Sequence, residues 1–177
     1  PGFNLIDDGL NQYNIGAVSF DGEGTPTRKI NLVENGIIRN FIHSEATARA
    51  FNVEPTGHAG LGSKVSVGPD WFVVSRNNQN YTGSELDHSN NTDKFILIEN
   101  LSAIHAGVKA SQGSFSLPFD GWLVEGGNKT SIEAATVAGD IRDLLNSIVS
   151  IEEQSEVTHS GISPHIWIEE LSITGEA

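Results

Sequence analysis

Six histidines and the acidic residues are the candidates of this sequence for proton transfer and metal binding. Cysteine, the other common metal ligand, is absent. His58 lies in a glycine-rich stretch, and histidine is the side chain whose ordinary pKa suits proton transfer near neutral pH. A catalytic His58 would need a nucleophile or a metal beside it, and the neighbouring sequence indicates neither. We therefore interpret His58 as a residue that lies at the surface or hydrogen-bonds to the backbone.

Two histidines close to the C-terminus, His159 and His165, are weak candidates for zinc ligands, since imidazole binds that metal well. A zinc site needs three or four converging ligands. The sequence contains no HExxH or HExxxH pattern, and no Gly-x-Ser-x-Gly pattern for a nucleophilic serine. We therefore expect no catalytic residue, no metal site and no cofactor site in this chain.

Four acidic residues near the N-terminus have carboxylates that calcium could bind: Asp7, Asp8, Asp21 and Glu23. Their spacing does not follow the ligand pattern of an EF-hand loop, which places its ligands at alternate positions of a twelve-residue segment. We therefore favour solvated turns over a calcium site at these positions.

The composition excludes several classes of protein. The chain has 177 residues and a net charge of −13, which repels the phosphate backbone of nucleic acids. No apolar run is long enough to span a membrane, and no charged-then-apolar signal segment opens the chain, so we expect no membrane partner and a cytoplasmic location. Nineteen glycines and 37% hydrophobic residues suit one turn-rich domain that covers residues 1–177.

The elements that position these side chains begin with a hairpin. Two apolar runs, residues 29–34 and 37–42, are separated by Asn35-Gly36, the dipeptide typical of a type I′ turn. Ser44 is predicted to cap a following helix, and residues 53–70 are predicted to form one long loop. We expect one face of the hairpin to be buried, formed by Ile30, Leu32, Ile38 and Ile42.

The second half of the chain also consists mainly of predicted strands. A hairpin turn is expected at Gly126-Gly127, and a capped helical turn at Thr82–Leu86. Between Asp140 and Val149 the apolar residues recur at helical spacing, which predicts an amphipathic helix packed on the sheet. We therefore predict an α+β fold, mostly antiparallel β-sheet with hairpins, a few short helices and this one amphipathic helix near the C-terminus.

Several motifs, taken in order, resemble the TldD/PmbA family, whose members are also called modulators of DNA gyrase or peptide-maturation proteins. They are Asp-Gly-Glu-Gly-Thr-Pro-Thr at 21–27, Thr-Gly-His at 56–58, Ser-Gln-Gly-Ser-Phe-Ser at 111–116, Gly-Trp-Leu-Val-Glu-Gly-Gly at 121–127 and the strand at 163–169. The resemblance covers the C-terminal half of such a protein and is closer to the PmbA (TldE-like) arm. Because the chain also opens inside a predicted strand, we expect it to be a piece of a longer protein.

The resemblance carries expectations about function. Active members of the family resemble zinc metallopeptidases, with an HExxxH motif in the N-terminal half and a further cysteine ligand in the C-terminal half. This chain has neither, so the resemblance implies a non-catalytic domain that serves as scaffold, dimer contact and cavity wall for proteolysis of unfolded peptides. Its expected partners are a homologous or identical subunit and the peptide, with Gly57 and His58 as candidates for the cavity wall.

Two other classes of protein remain possible. A free-standing peptide-binding β-domain would hold an extended peptide by adding it as a strand to a sheet edge. A hydrolase based on paired carboxylates is the more remote possibility.

Overall fold

The predicted Asn-Gly turn is present in the computed structural model, which describes residues 2–77 and 94–175. Asn35 and Gly36 have φ of 53° and 78°, the positive values that a type I′ turn requires. The turn joins strand β2 (Lys29–Glu34) to strand β3 (Ile37–Ile38). The predicted hairpin is therefore confirmed at its turn.

The second strand of the hairpin is shorter than predicted. It ends at Ile38, whose side chain is exposed, so the expected burial of Ile38 and the extension of the strand to Ile42 are wrong. Strand β3 lies at the edge of its sheet, where no further strand of the described part of the chain pairs with it. Sequence alternation alone does not distinguish such an edge from a covered strand.

Replacing Gly36 with valine is expected to lower the free energy of unfolding by about 1–3 kcal/mol, because a β-branched residue is strained at positive φ. Beyond its two chain neighbours, no atom of the described residues lies within 4 Å of the position that a Cβ would take, so the cost comes from the backbone alone. Urea denaturation measures it. An unchanged denaturation midpoint would show that the turn tolerates an L side chain.

The described residues divide into two units, and the first comprises 2–77 and 151–165. The strand order of its main sheet is β11-β12-β6-β1-β2-β3, with β1 antiparallel to both β2 and β6, and β12 parallel to β6. The β12–β6 pair is therefore parallel, whereas the β1–β2, β1–β6 and β2–β3 pairs are antiparallel. The strands not yet given are β1 (Phe3–Asp8), β6 (Phe72–Arg76), β11 (Ile148–Val157) and β12 (Gly161–Ile168).

The helix predicted after the hairpin is confirmed as α1 (Glu45–Phe51). The Ser44 hydroxyl accepts a hydrogen bond from the Thr47 amide, and the Thr47 hydroxyl accepts one from the Ser44 amide, which forms a capping box. The helix ends at Asn52, which has a left-handed φ of 54°.

The stretch predicted as one long loop contains a short two-stranded ladder. It pairs β4 (Ala59–Gly60) with β5 (Ser66–Val67), so that Ala59 lies opposite Val67. Strands of two residues give no periodic signal in the sequence. The ladder holds the residues just after His58 in a fixed position.

The second unit comprises residues 94–150 and 166–175. Its sheet has the order β13-β10-β9-β7, with β8 paired to β9. The predicted Gly126-Gly127 turn is confirmed between β9 and β10, and the buried core is formed by Leu117, Phe119, Ala135 and Val137. The elements are β7 (Lys94–Leu101), α2 (Ile104–Gly107), β8 (Val108–Lys109), β9 (Ser114–Glu125), β10 (Asn128–Asp140) and β13 (Ser172–Thr174).

The amphipathic helix predicted near the C-terminus is not confirmed. Helix α3 (Ile141–Asn146) has only six residues, and both Ile141 and Leu145 are largely exposed. Ile148 belongs to β11, where it is buried. The sequence has helical spacing up to Val149 because Ile148 and Val149, which belong to β11, continue the period of the short helix α3.

The α+β class, with mostly antiparallel sheets and short helices, is confirmed. The helical turn expected at Thr82–Leu86 lies outside the described residues, and the assignment of the whole chain to one domain stays a prediction. Within the described ranges, no helix is long and apolar enough to cross a membrane.

Candidate functional site

The Asp21 carboxylate joins two segments that are far apart in the sequence. Its Oδ1 accepts hydrogen bonds from the amides of Glu23 at 2.9 Å and Thr25 at 2.8 Å, and its Oδ2 accepts one from the Ala59 amide at 3.0 Å. The Gly22 amide donates to the Ala59 carbonyl at 2.7 Å. The turn at residues 21–27 is thereby fixed against the backbone that carries His58.

Gly57 fits the same turn from the opposite side. Its φ is +80°, and a Cβ added there would lie 2.4 Å from the carbonyl oxygen of Pro26 and 3.0 Å from Thr27 Cα. Only glycine allows two backbones to approach this closely at positive φ. The motifs at 21–27 and 56–58 are therefore two halves of one packed arrangement.

His58 is buried, with 2% of its area exposed, so the surface alternative of its interpretation is wrong, whereas its hydrogen bond to the backbone of Thr56 agrees with the other alternative. Its Nε2 lies 3.5 Å from Oδ2 of Asp7, whose side chain is fully buried on β1. That distance suits an ion pair but is at the outer limit of a hydrogen bond. Among the described residues, Nε2 of His58 has no hydrogen-bond partner of good geometry.

The opposite ring nitrogen of His58 is fixed by a threonine. Nδ1 lies 2.9 Å from Oγ1 of Thr56. The Thr56 hydroxyl donates its one proton to the His43 carbonyl at 3.1 Å and accepts a hydrogen bond from the His43 amide at 2.7 Å. Nδ1 of His58 must therefore be the donor to Thr56, which assigns a hydrogen to Nδ1.

Asp70 completes a group of three. The Asp7 carboxylate accepts hydrogen bonds from the amides of Asp70, at 3.1 and 3.2 Å, and of Trp71, at 2.9 Å. These bonds place the Asp70 side chain near the pair, so that one ligand atom from each of Asp7, His58 and Asp70 lies within 4.8 Å of the other two. Asp70 is exposed, whereas the other two are buried.

The electrostatics of the group favour a positive charge beside the carboxylates of Asp7 and Asp70. Burial raises the pKa of Asp7, but the contact with His58 and the amides of Trp71 and Asp70 outweigh burial and hold that pKa below its usual range. Burial lowers the pKa of the His58 imidazole. The contact with Asp7 and the charge of Asp70 outweigh burial and raise that pKa above its ordinary value. The pKa of Asp70 is raised by partial desolvation of its carboxylate, although the residue as a whole is exposed, and by the charges of Asp7 and Asp21, against the effect of His58.

The hydrogen bonds to Asp21 give the fold a dependence on pH. Burial raises the pKa of Asp21, but the amides of Ala59, Thr25, Glu23 and Gly24 outweigh it, so the pKa lies below its ordinary value in the folded state. A carboxyl with a depressed folded pKa contributes stability above its unfolded pKa of about 4, and this stability is lost as the pH falls through the folded pKa.

We expect Asp21→Ala to lower the free energy of unfolding by about 2–3 kcal/mol near neutral pH, because three backbone amides lose a charged acceptor. Urea denaturation at several pH values measures the difference from wild type, which should shrink as the pH falls below about 4. Asp120→Ala, at an exposed position of β9, is the control and should stay within about 0.5 kcal/mol. A difference that persists unchanged at low pH would contradict the assignment.

The structure does not bring the predicted metal candidates together. Nδ1 of His165 lies 3.3 Å from Glu152 on β11, and its Nε2 lies 4.0 Å from Glu156. The two carboxylates contact opposite ring nitrogens, and among the described residues neither His165 nor His159 belongs to a group of three converging ligand atoms. These two histidines do not fit a zinc site.

The four acidic residues proposed for calcium have separate partners. Asp8 pairs with Lys29, and Glu23 accepts a hydrogen bond from the Glu45 amide at the start of α1. Asp21 accepts backbone amides, and Asp7 belongs to the His58 group. The solvated-turn interpretation is wrong for Asp7, which is buried. The sequence analysis did not connect Asp7 to Asp70. The one signal in the sequence was that Asp7 lies on the same side of β1 as Leu5, because alternate residues of a strand point to the same face.

A comparison with known families decides where this chain belongs. The family model described as the PmbA/TldA metallopeptidase C-terminal domain matches residues 1–175. The chain belongs to this family. The resemblance to TldD/PmbA proteins noted from the motifs is thereby confirmed.

Relatives of this family member show how much of a whole protein it represents. The metalloprotease PmbA homolog of Buchnera aphidicola subsp. Baizongia pistaciae is 27% identical over 157 residues, which cover 88% of this chain and 32% of that protein. The chain thus spans about a third of the length of that relative.

Solved structures agree with the fold. A protein of Thermotoga maritima described as a candidate modulator of a DNA gyrase has a TM-score of 0.82 and 28% identity, and the match covers 98% of this chain and 39% of that one. TldE from Thermococcus kodakarensis has a TM-score of 0.78 over 98% of this chain and 40% of its own. At 24% identity, the TldE match shows the fold alone.

Proposed function

We propose that this PmbA/TldD-family domain is non-catalytic and forms the scaffold, a dimer contact and part of the cavity wall of a metallopeptidase that cleaves unfolded peptides. Its partners are a homologous or identical subunit and the peptide. In this proposal, zinc is supplied by the active arm of the assembly, and peptide maturation takes place in the cytoplasm. The net charge of −13 argues against nucleic acid as a direct partner.

The observation that carries the proposal is the exposed apolar surface of the first unit. Ile15, Phe41 and Phe51 expose 101%, 68% and 72% of their area, and most of the large exposed hydrophobic side chains among the described residues lie in this unit. A contiguous exposed apolar patch is typical of a surface that contacts another protein, and the proposal is that these side chains form such a patch. Others in the first unit are Leu10, Tyr13, Val18, Phe20, Ile37, Ile38, Val53, Leu61, Val65, Val67 and Val157.

Gly57 and His58 contribute to the proposed cavity wall by their backbone. Both residues are buried, so their side-chain positions face the protein and not an open cavity. The contacts of Gly57 with Pro26 and of Ala59 with Asp21 give this stretch one fixed shape. A rigid backbone here would support a cavity from behind without taking part in the reaction.

A second candidate function is peptide binding by strand addition. It is favoured by β3, which ends the six-stranded sheet and has two exposed isoleucines. An extended peptide could pair with the free side of this strand through backbone hydrogen bonds. Because β3 has only two residues, such pairing would be short.

Association is tested by sedimentation of the 177-residue chain and of two charged variants. We expect self-association or binding to a homologous subunit, and we expect Phe41→Asp to weaken it while leaving the thermal midpoint unchanged. Ile104→Asp is the matched control, because Ile104 is also largely exposed but lies in the second unit. A chain that stays monomeric with every subunit tested, or loses association only in the control, would contradict the dimer contact.

The purified chain alone is expected not to cleave a disordered peptide, with or without added zinc. Peptide hydrolysis by a metallopeptidase needs a metal-activated water and a nearby general base. The sequence has no HExxxH pattern to supply them. Mass spectrometry of the peptide is the measurement. Metal-dependent cleavage that disappears on replacing His58, His159 or His165 would show that the active site lies in this chain.

A further inference from the structure

We propose that Asp7, His58 and Asp70 form a binding site for one divalent transition-metal ion such as Zn²⁺. The site lies within the first unit, where β1, the segment before β4 and the start of β6 meet. It is independent of the peptidase role proposed above, because it concerns the stability of this domain and no peptide chemistry.

The first observation is an unpartnered buried atom that faces two carboxylates. The His58 side chain is fully buried, and its Nε2 has no hydrogen-bond partner of good geometry among the described residues. Because Nδ1 carries the hydrogen donated to Thr56, a neutral His58 directs the lone pair of Nε2 toward the Asp7 carboxylate. A lone pair beside an anion is unfavourable in a buried site unless a cation lies between them.

The second observation is the spacing of the ligand atoms. Nε2 of His58 lies 3.5 Å from Oδ2 of Asp7. Two ligand atoms that are each about 2.0–2.2 Å from a tetrahedral ion lie about 3.3–3.6 Å apart. The pair is therefore separated by a distance that a bound ion would impose, and that is long for a direct hydrogen bond.

The surroundings of His58 and Asp7 match the usual support of a metal site. The hydrogen of Nδ1 is donated to Thr56, which fixes the ring so that Nε2 is the free ligand atom. The Asp7 carboxylate is held by the amides of Asp70 and Trp71. Two of the three ligands are thus oriented before any ion binds, which reduces the cost of binding.

Asp70 provides the third ligand and the route of entry. Its carboxylate is exposed and accepts no hydrogen bond from the described residues, so it can rotate onto an ion. A Cβ on Gly9 would lie 2.6 Å from its Oδ2 and 2.8 Å from Cγ2 of Thr27. The glycine therefore leaves room for the carboxylate beside Thr27, whose buried hydroxyl also lacks a partner in the described part of the chain.

This donor set indicates the class of ion. One imidazole nitrogen and two carboxylate oxygens suit Zn²⁺ and neighbouring divalent metals, with water in the remaining position on the Asp70 side. The sequence-based expectation of no metal treats the histidines as isolated. His58 is not isolated in the fold, because Asp7 and Asp70 are brought to it from 51 and 12 residues away.

The test uses the chelator-treated 177-residue chain titrated with Co²⁺ and with Zn²⁺. We expect one Co²⁺ per chain, seen as visible absorption that Zn²⁺ displaces, and a higher thermal midpoint on binding. Asp70→Asn should weaken binding at least tenfold, a change of about 1.4 kcal/mol or more. The metal-free variant should stay folded, because the exposed Asp70 carboxylate accepts no hydrogen bond from the described residues. His58→Gln should abolish binding.

His165→Gln and His159→Gln are the controls, since both histidines are exposed and outside the group. Each should bind Co²⁺ as the wild type does. The proposal is overturned if the wild-type chain takes up no stoichiometric ion, in which case a proton on Nε2 supplies the positive charge beside Asp7. It is also overturned if binding survives Asp70→Asn at full strength, or is lost in either control.

Discussion

Replacing Gly57 with alanine is expected to lower the free energy of unfolding by about 3 kcal/mol or more. An alanine at φ +80° is strained, and its Cβ would lie 2.4 Å from the Pro26 carbonyl oxygen and 2.9 Å from the Pro26 carbonyl carbon. These are backbone atoms of a turn that Asp21 holds in place, so they cannot move aside without breaking hydrogen bonds. The two costs therefore add.

Gly24→Ala is the matched control for this result. Gly24 has φ +85°, close to that of Gly57, but nothing lies within 4 Å of the position of its Cβ. The free energy of unfolding of the Gly24→Ala variant should therefore fall only by the cost of placing an L residue at positive φ, about 1 kcal/mol. Urea denaturation of both variants measures the difference. Equal losses would mean that the close approach of residues 26–27 to Gly57 contributes nothing to stability.

Asp7→Ala is expected to have an effect of similar size, about 3–5 kcal/mol in the metal-free chain. Asp7 is fully buried, and its removal leaves His58 without its ion-pair partner and the amides of Asp70 and Trp71 without their acceptor. Removing one partner of a buried charged pair costs this much because the other partner stays desolvated. Asp7→Asn keeps one oxygen acceptor and should lie between alanine and wild type.

The adjacent Asp8→Ala variant controls for changes of charge and strand propensity. Asp8 occupies the next position of β1, and its ion pair with Lys29 spans 3.6 Å at the surface. Such pairs contribute up to about 1 kcal/mol. If Asp8→Ala destabilises the chain as much as Asp7→Ala does, the buried group around His58 is not the source of the effect.

The sequence predicted those parts of the fold that depend on a few neighbouring residues. The Asn35-Gly36 turn, the Ser44 cap and the Gly126-Gly127 turn each need a particular local backbone, and their residue types reveal it. The helix expected to extend to Val149 ends earlier, because Ile148 and Val149 belong to a strand in which Ile148 is buried. Helical period over two turns cannot separate these cases.

The group around His58 was out of reach for a different reason. Asp7 and the amide of Asp70 are 63 residues apart in the sequence, and their contact depends on the pairing of β1 with β6. The acidic residue types at 7, 8 and 70 look alike, and only burial separates them. A single sequence carries no signal for which carboxylate faces the interior when several occur near strand ends.

The turn held by Asp21 has a consequence for how this part of the chain can vary in length. Three amides and the Gly57 contact fix both the start and the end of residues 21–27, so one inserted residue would displace Pro26 from its place against Gly57. Residues 61–65, by contrast, are exposed and join two short strands at the surface. Insertions and deletions should therefore be tolerated at 61–65, whereas the segments 21–27 and 56–59 should keep their lengths even where their exposed side chains change.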